Sequence, residues 1–293
     1  MFRVVTVGRF DGVHLGHQRL LSYAKSLAEE RGWCALAYTF PPEPPALLPL
    51  AAKVRLLKEL VDEVEVVEWE KVRDLSAGEF LQKEVVGRLS GRALVMGPDH
   101  RFGRGREGDV SFARSFSQIL GIEVHVISPV KVGNDIVSSR RVRELLQLGE
   151  VGKAVEILGR PPVLFGQRVA GAGLAKTLGF PTINLVLDPI LARPKDGVYL
   201  AWTFWAGGDA PGLFYHGKRL TFPNLPPSAE IHLLSAPPNP LPEAFEVHLL
   251  KFLREDIRFP SPESLVKRIS EDVVEAKNVL SALTPPRPIL LGV

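Results

Sequence analysis

An apolar run over residues 2–7 passes directly into Gly8-Arg9-Phe10-Asp11-Gly12-Val13-His14-Leu15-Gly16-His17-Gln18, and then into a helical pattern that ends near Arg31. A strand that turns through glycines into a helix commits the N-terminal part to layered α/β packing and prepares an anion site. Gly8, Gly12 and Gly16 permit positive φ or close approach of backbone to a ligand. The helix start aims unpaired N–H groups and the positive end of its dipole the same way. His14 and His17, at i and i+3, project toward one phosphate as donors, where displacement at phosphorus builds negative charge. The competing reading is a zinc or surface histidine pair; one cysteine in 293 residues and no neighbouring ligand cluster disfavour zinc.

The same rhythm repeats. Apolar runs at 34–40, 63–69, 93–97 and 123–128 alternate with helical patterns at 53–61, 76–89 and 112–120. They predict a doubly wound parallel sheet with helices on both faces and ligands bound beyond the strand C-termini. The glycine turn at 8–17 and a second loop at 97–108 both follow strands, so they share one rim. Two short helices, 138–148 and 151–158, close the domain.

Gly159-Arg160-Pro161-Pro162 ends the helical pattern, and short β-rich segments follow at 163–169, 182–187, 197–205, 212–216, 229–234 and 245–253. They predict a small antiparallel barrel. One long helix then begins with Ser261 as N-cap and Pro262 at N1, and its Leu265, Ile269 and Val273 form a face for the barrel. The expected domains are residues 1–158 and 159–293, two being also what the length favours.

Thr182 and Asn184 alternate along a strand entered through Pro181, so they face one side and offer hard oxygen donors suited to Mg²⁺; a polar edge strand explains them equally. The segment 97–109, rich in glycine and arginine, reads by itself as a solvated basic loop. Val137-Ser138-Ser139-Arg140-Arg141-Val142-Arg143 reads by itself as a capped helix start with exposed arginines.

In their order along the chain, these segments resemble the bacterial bifunctional riboflavin kinase/FAD synthetase family, and the histidine turn is similar to the His-x-Gly-His signature of adenylyl- and cytidylyltransferases. The family carries Gly-x-Phe-Asp-Gly-x-His-x-Gly-His, then Gly-x-Asp-Phe-x-Phe-Gly, then Ile-Ser-Ser-Thr-Arg-Ile-Arg. Here His100 stands for the first Phe of the second motif and Arg140 for the Thr of the third. The resemblance implies that His14 and His17 hold ATP phosphates, with Gly8, Phe10, Asp11 and Gly16 around them. Ser138, Ser139, Arg141 and Arg143 are implied to belong to the same adenylyltransferase site, and Asp99 and Phe102 to touch flavin. Asp11 either orders His14, approaches the metal or caps the turn. Thr39-Phe40-Pro41-Pro42-Glu43-Pro44 is similar to the family's Phe-x-Pro-x-Pro segment near that site.

In the second half, Gly179-Phe180-Pro181-Thr182-Ile183-Asn184 resembles the riboflavin kinase signature Gly-Phe-Pro-Thr-Ala-Asn, which implies Mg²⁺ at Thr182 and Asn184. ATP is implied at Gly171, Gly173 and Lys176, with Ala175 and Lys176 standing for the usual Gly and Arg, and flavin at Arg254. His216-Gly217-Lys218 replaces the usual Asn-Ile-Gly. The family's general base lies in a Glu-x-His strand, and two strands qualify. Order favours Glu230 in Glu230-Ile231-His232-Leu233-Leu234, because Arg254-Glu255 and Arg258-Phe259 resemble a later stretch of the family; Glu246 in Glu246-Val247-His248-Leu249-Leu250 competes.

The implied function is bifunctional: riboflavin to FMN in the C-terminal domain, then FMN to FAD in the N-terminal one, with ATP and Mg²⁺. Two readings compete with it, an FMN adenylyltransferase whose barrel only binds flavin and a non-enzymatic flavin carrier. The net charge of +3 is too mild for a nucleic-acid footprint, no apolar run reaches membrane-spanning length, and the lone Cys34 allows no internal disulfide. The expectation is a cytoplasmic protein, monomeric or weakly self-associating, whose partners are small-molecule substrates and neither nucleic acid nor membrane.

Overall fold

The computed structural model describes residues 1–171, 177–222 and 224–291. The chain packs as two compact units, Met1–Glu43 with Leu50–Ser138, and Pro44–Pro49 with Ser139–Val293.

In the first unit, β1 (Arg3–Val7), β2 (Cys34–Thr39), β3 (Glu63–Val66), β4 (Gly91–Met96) and β5 (Glu123–Val126) form a parallel sheet in the order β3-β2-β1-β4-β5. Helices α1 (Leu15–Arg31), α2 (Leu50–Lys58), α3 (Ala77–Glu79, running on as a π-wound stretch Phe80–Arg88) and α4 (Val110–Leu120) connect the strands. Val4, Val5, Ala35 and Ala93 are fully buried, as strands covered on both faces require. The strand order reverses at β1, so the carboxyl ends of β1 and β4 flank the switch point where such sheets bind ligands. The doubly wound sheet is therefore as expected. The strand expected through 69 stops at Val66, because a 3₁₀ turn at Trp69–Lys71 takes over. A hairpin of β6 (Lys131–Val132) and β7 (Asp135–Ile136), turned at Gly133 (φ 57°), is too short to show a period in the sequence.

The second unit opens with α5 (Ser139–Leu148) and α6 (Val151–Leu158). The break expected at Gly159 is the left-handed cap of α6 (φ 71°), and both helices before it pack with this unit. Strands β8 (Val163–Val169), β9 (Ile183–Leu187), β10 (Gly197–Trp205), β11 (Gly208–Gly217), β12 (Ser228–Leu233) and β13 (Ala244–Glu255) close an antiparallel barrel in the order β10-β11-β12-β9-β8-β13. β11 starts earlier than its apolar run because Gly207 (φ 88°) turns the chain so that Trp205 pairs directly with Gly208. Inside, Tyr199, Phe214, Ile231, Phe245 and Val247 fill the barrel. Val198, Leu200 and Leu213 point outward, where Val273 and Ala276 of α7 (Pro262–Leu280) cover them. Ser261 caps that helix and Pro262 begins it, as the sequence predicts.

Glu246 on β13 is fully buried. Taking a carboxylate out of water costs several kcal/mol unless its lone pairs are filled. Here His248 Nε2 lies 2.6 Å from Oε1, Ile289 N–H donates to the same oxygen at 2.6 Å, and Leu290 and Leu291 N–H donate to Oε2 at 2.8 and 3.0 Å. The C-terminal segment is thus folded around one charge. Burial pushes the carboxyl up, yet these hydrogen bonds outweigh it and hold the group below its ordinary value. The stabilisation is complete above the ordinary carboxylate range and fades as pH falls through the depressed value. Glu246→Gln swaps one acceptor for a donor, and is expected to cost about 1 to 3 kcal/mol at neutral pH. Trp202 and Trp205 fluorescence during thermal melting should show a loss of several degrees that shrinks under acid; an unchanged melting point refutes the clamp.

Candidate active sites

The first unit's site begins where Gly8 N–H donates to Tyr38 carbonyl (3.0 Å) and the chain leaves the sheet. Phe10 (φ 48°), Gly12 (φ 78°) and Val13 (φ 41°) bend it through the left-handed region, which is uncommon for a non-glycine residue and least of all suits the β-branched Val13. Phe10 is buried, and a Cβ on Gly8 would lie 3.0 Å from its ring. His14 caps α1, its Nδ1 accepting from His17 N–H at 3.3 Å. In the neutral ring the proton then sits on Nε2, so His14 turns a donor away from the helix. The two imidazoles stack at 3.6 Å and 16°, with Phe10 edge-on to His17 at 5.3 Å. Gly16 allows this: a Cβ there would stand 3.2 Å from His14 Nδ1. The structure thus brings Gly8, Phe10, Asp11, His14, Gly16 and His17 into one turn.

Lys53 was not anticipated. On α2 it shares the buried face with Ala52 and Leu57, so the signal was a cation one helical turn from a core leucine. It is 1 % exposed. Its Nζ donates to the Arg9 carbonyl at 3.1 Å and to that of Phe40, while Thr39 Oγ1 also donates to Arg9 carbonyl at 3.3 Å. The ammonium therefore ties the glycine turn to the end of β2. Burial lowers its pKa to about 8, with the Asp11 carboxylate pulling upward and Arg9 downward.

The loop after β4 folds back on itself. Phe102 and Gly108 exchange backbone hydrogen bonds of 3.1 and 2.9 Å, and Gly103 (φ 75°) passes where a Cβ would meet Ala77 N at 2.6 Å. Phe102, expected to touch flavin, is a core residue packed with Phe80 and Phe112. His100 stacks on it at 6.1 Å and 22° and is the less buried ring of the two. Burial, helped by Arg106, pushes His100 down to about 4, so near neutral pH it is an uncharged aromatic plate like the Phe it replaces. Asp99 is exposed. Ser138 ends the first unit and Ser139 opens the second, where Arg140 and Arg141 meet Glu144 at 3.1 and 3.5 Å and Arg143 is half-buried on α5.

The second unit's site follows from strand alternation. Ile183, Leu185, Ala229 and Ile231 point into the barrel, so Asn184 and Glu230, directly paired across β9 and β12, point outward. There they border a cavity whose walls are apolar, among them Phe180, Leu213, Phe222 and Phe259, with Leu265 and Ile269 of α7 closing one side. Thr182 Oγ1 donates to Glu230 Oε2 at 2.8 Å, and Ser228 Oγ donates to Oε1 at 2.8 Å. Arg219, absent from the sequence reading, donates from Nη2 to Glu230 Oε1 (2.6 Å) and Asn184 Oδ1 (3.1 Å). Gly171 lies against Asn184, since a Cβ would stand 2.1 Å from Nδ2. Gly173, Ala175 and Lys176 fall outside the described residues.

Arg254 borders the same cavity, held by Asp272 at 2.8 Å and lying over Phe259. His216 meets Asp196 at 3.1 Å, and Gly217 is required beside it, a Cβ there standing 2.7 Å from Asp256 Oδ2 and Tyr215 Oη. Glu246, the competitor to Glu230, lies buried under the C-terminal segment, away from the cavity lining.

A family model described as FAD synthetase matches residues 2–141, and one described as riboflavin kinase matches 158–280. The bifunctional riboflavin kinase/FMN adenylyltransferase of Haemophilus influenzae is 31% identical, over 93% of this chain and 92% of its own. That of Pseudomonas fluorescens is 34% identical, over 94% and 92%. Among solved structures, the macrolide-efflux protein from Streptococcus pneumoniae matches with a TM-score of 0.83 at 26% identity, over 96% of this chain and 95% of that one. This last likeness supports the fold; efflux is said of that protein. Among the described residues, no helix is long and apolar enough to cross a membrane.

The lowered pKa of Lys53 is directly measurable. In ¹³C-labelled protein one lysine should titrate near pH 8 instead of near 10.5, and that signal should vanish in Lys53→Met. Titration of every lysine near its ordinary value would show that Lys53 is hydrated and does not brace the turn.

Proposed function

The chain belongs to the bifunctional riboflavin kinase/FMN adenylyltransferase family, and on that premise we propose which of its residues carry each of the two transfers. It is an enzyme that phosphorylates riboflavin to FMN and adenylylates FMN to FAD. The proposal assigns adenylyl transfer to residues 1–158 and phosphorylation to 159–293.

The kinase assignment rests above all on one observation, the outward-facing group of Thr182, Asn184 and Glu230 at the rim of an apolar cavity. Such a cavity suits the flat flavin ring, leaving the ribityl chain to reach the polar rim. Its nucleophile is a neutral hydroxyl, so a base is needed. Glu230 accepts that proton as the oxygen attacks the γ-phosphorus of ATP and ADP leaves. The oxygens of Thr182 and Asn184 fit Mg²⁺, and the site already gathers a positive charge, the Arg219 guanidinium, against Asn184 Oδ1. When bound, the ion would neutralise charge on the transferring phosphates. Gly171, Gly173 and Lys176 complete the ATP side, and Arg254 the flavin side.

In the first unit the nucleophile is a phosphate oxygen of FMN, already anionic, which attacks the α-phosphorus of ATP and expels pyrophosphate. No base is needed, only donors for the charge that builds. The His14 and His17 rings fill that role on a turn braced by Lys53, with Gly8, Phe10, Asp11 and Gly16 shaping it. Ser138, which ends the same unit, is assigned to the same phosphates. The His100 ring, with Asp99 beside it, takes the flavin contact expected of Phe102. ATP as shared co-substrate and the free Cys34 suit a cytoplasmic, monomeric or weakly self-associating enzyme.

The two sites should fail separately. With riboflavin, FMN and FAD resolved by chromatography, His17→Ala is expected to lower FAD formation about a hundredfold or more while FMN formation persists. Unchanged FAD synthesis in a folded variant removes His17 from the reaction.

Glu230→Gln should do the reverse, cutting riboflavin phosphorylation roughly a hundredfold or more while supplied FMN is still converted to FAD. Normal phosphorylation in that variant removes the base.

A further inference from the structure

One oxygen of the carboxylate assigned as base is crowded with donors before any substrate arrives. Glu230 Oε1 accepts from Arg219 Nε (3.1 Å), Arg219 Nη2 (2.6 Å) and Ser228 Oγ (2.8 Å), and Oε2 accepts from Thr182 Oγ1 (2.8 Å). Each oxygen of an ionised carboxyl offers about two acceptor directions, so three donors leave Oε1 no room for a ribityl hydroxyl. The same guanidinium occupies Asn184 Oδ1 at 3.1 Å, the oxygen that the proposed function gives to Mg²⁺. A dication and a guanidinium sharing one oxygen repel at short range.

We infer that Arg219 is a displaceable counter-ion, whose guanidinium holds Asn184 and Glu230 together in the metal-free enzyme and leaves both when the metal ion takes the Asn184 oxygen. The inference rests on the proposed metal role of Thr182 and Asn184. Displacement frees Glu230 Oε1 for the substrate hydroxyl, so metal arrival and exposure of the base become one event. Arg219 cannot leave by losing its proton, since a guanidinium stays charged in proteins; only competition removes it.

The backbone is built to stay while the side chain moves. Arg219 N–H donates to Tyr215 Oη at 2.7 Å, Tyr215 Oη donates to Asp256 Oδ2 at 2.9 Å, and Lys218 N–H donates to the same carboxylate at 3.1 Å. Phe222 N–H closes the turn on the Arg219 carbonyl at 2.7 Å. Arg219 itself is held at φ 54°, a left-handed conformation that a non-glycine residue keeps only when its surroundings fix it. Besides its bonds to Glu230 Oε1 and Asn184 Oδ1, its side chain makes one further hydrogen bond among the described residues, a long one of 3.4 Å from Nη1 to the Pro226 carbonyl, and it borders the open cavity.

Mn²⁺, titrated into the nucleotide-free full-length protein and followed by electron paramagnetic resonance, is the probe. Asn184→Ala should abolish one class of sites. Arg219→Gln should tighten that same class about tenfold, equivalent to about 1.4 kcal/mol, whereas Arg219→Lys, which keeps the charge, should stay closer to the parent. If Asn184→Ala abolishes the class but Arg219→Gln leaves its affinity equal or weaker, the counter-ion role is wrong. If Asn184→Ala leaves every class intact, the metal assignment itself fails and the inference falls with it. A second measurement needs no neutral variant. The Arg219 Nε–H resonance, identified by its loss in Arg219→Lys, should be protected without metal and exchange rapidly with water at saturating Mg²⁺; persistence of protection overturns the inference.

Discussion

A charge withdrawn from water must be enclosed by partners, and four enclosures of this kind fix the positions of the functional groups. Each ion costs several kcal/mol to desolvate, comparable to a large fraction of a domain's stability, so its partners cannot drift. Lys53 spends its donors on the carbonyls of Arg9 and Phe40 and thereby sets where the histidine turn leaves the sheet. Glu246 gathers the N–H groups of Ile289, Leu290 and Leu291 and closes the chain over the barrel wall. Arg219 and Glu230 hold each other beside Asn184. Asp272, 1 % exposed, is held by Arg254 from the barrel and Arg268 from its own helix. Burial pushes its carboxyl up despite both arginines, a sign of how dry that junction is.

Much of the scaffold was legible because periodicity is a local signal. Apolar runs separated by helices read out the parallel sheet, and Ser261 with Pro262 read out the start of the last helix to the residue. The glycine turn with its paired histidines was legible because glycines and histidines at fixed spacing leave few alternatives. Lys53 and Arg219 were not legible, since a lysine in a helix and an arginine in a loop are ordinarily solvated. Their partners lie at Arg9 and Phe40, and at Asn184 and Glu230, separations that no local pattern encodes. Glu230 and Glu246 sit in near copies of one five-residue pattern and have opposite environments. What separates them is the strand each occupies and the C-terminal segment folded over the second, both tertiary facts. Phe102 lies in the core instead of at an open surface for a similar reason: the loop's return at Gly103 and Gly108 turns the phenyl ring inward.

The division of residue types between the units follows the chemistry. A phosphate monoester is anionic before it attacks, so a site for adenylyl transfer gains most from donors placed where charge accumulates. A primary hydroxyl carries a proton that must go somewhere, so a site for its phosphorylation needs an acceptor as well. The first unit gathers imidazoles and a buried ammonium at its strand ends, and the second gathers a carboxylate with two neutral oxygens. Neither set would serve in the other's place.

The cavity proposed for flavin is not a property of the barrel alone. Its wall on one side is α7, through Leu265 and Ile269, and the same helix covers Val198, Leu200 and Leu213, which would otherwise face water. Arg254 stands at the junction, joined to Asp272 of α7 and stacked on Phe259 in the segment between β13 and that helix. Whatever fills the cavity therefore contacts both sides of the helix–barrel seam. Because a ligand that binds only the docked arrangement stabilises it by mass action, occupancy of the cavity and helix docking are thermodynamically linked. The Arg254–Asp272 pair then acts less as a source of stability than as a register pin. A buried ion pair adds little net energy, but a slip of one helical turn would part Arg254 from its carboxylate and leave Asp272 with Arg268 alone, so the pair favours one seat for α7.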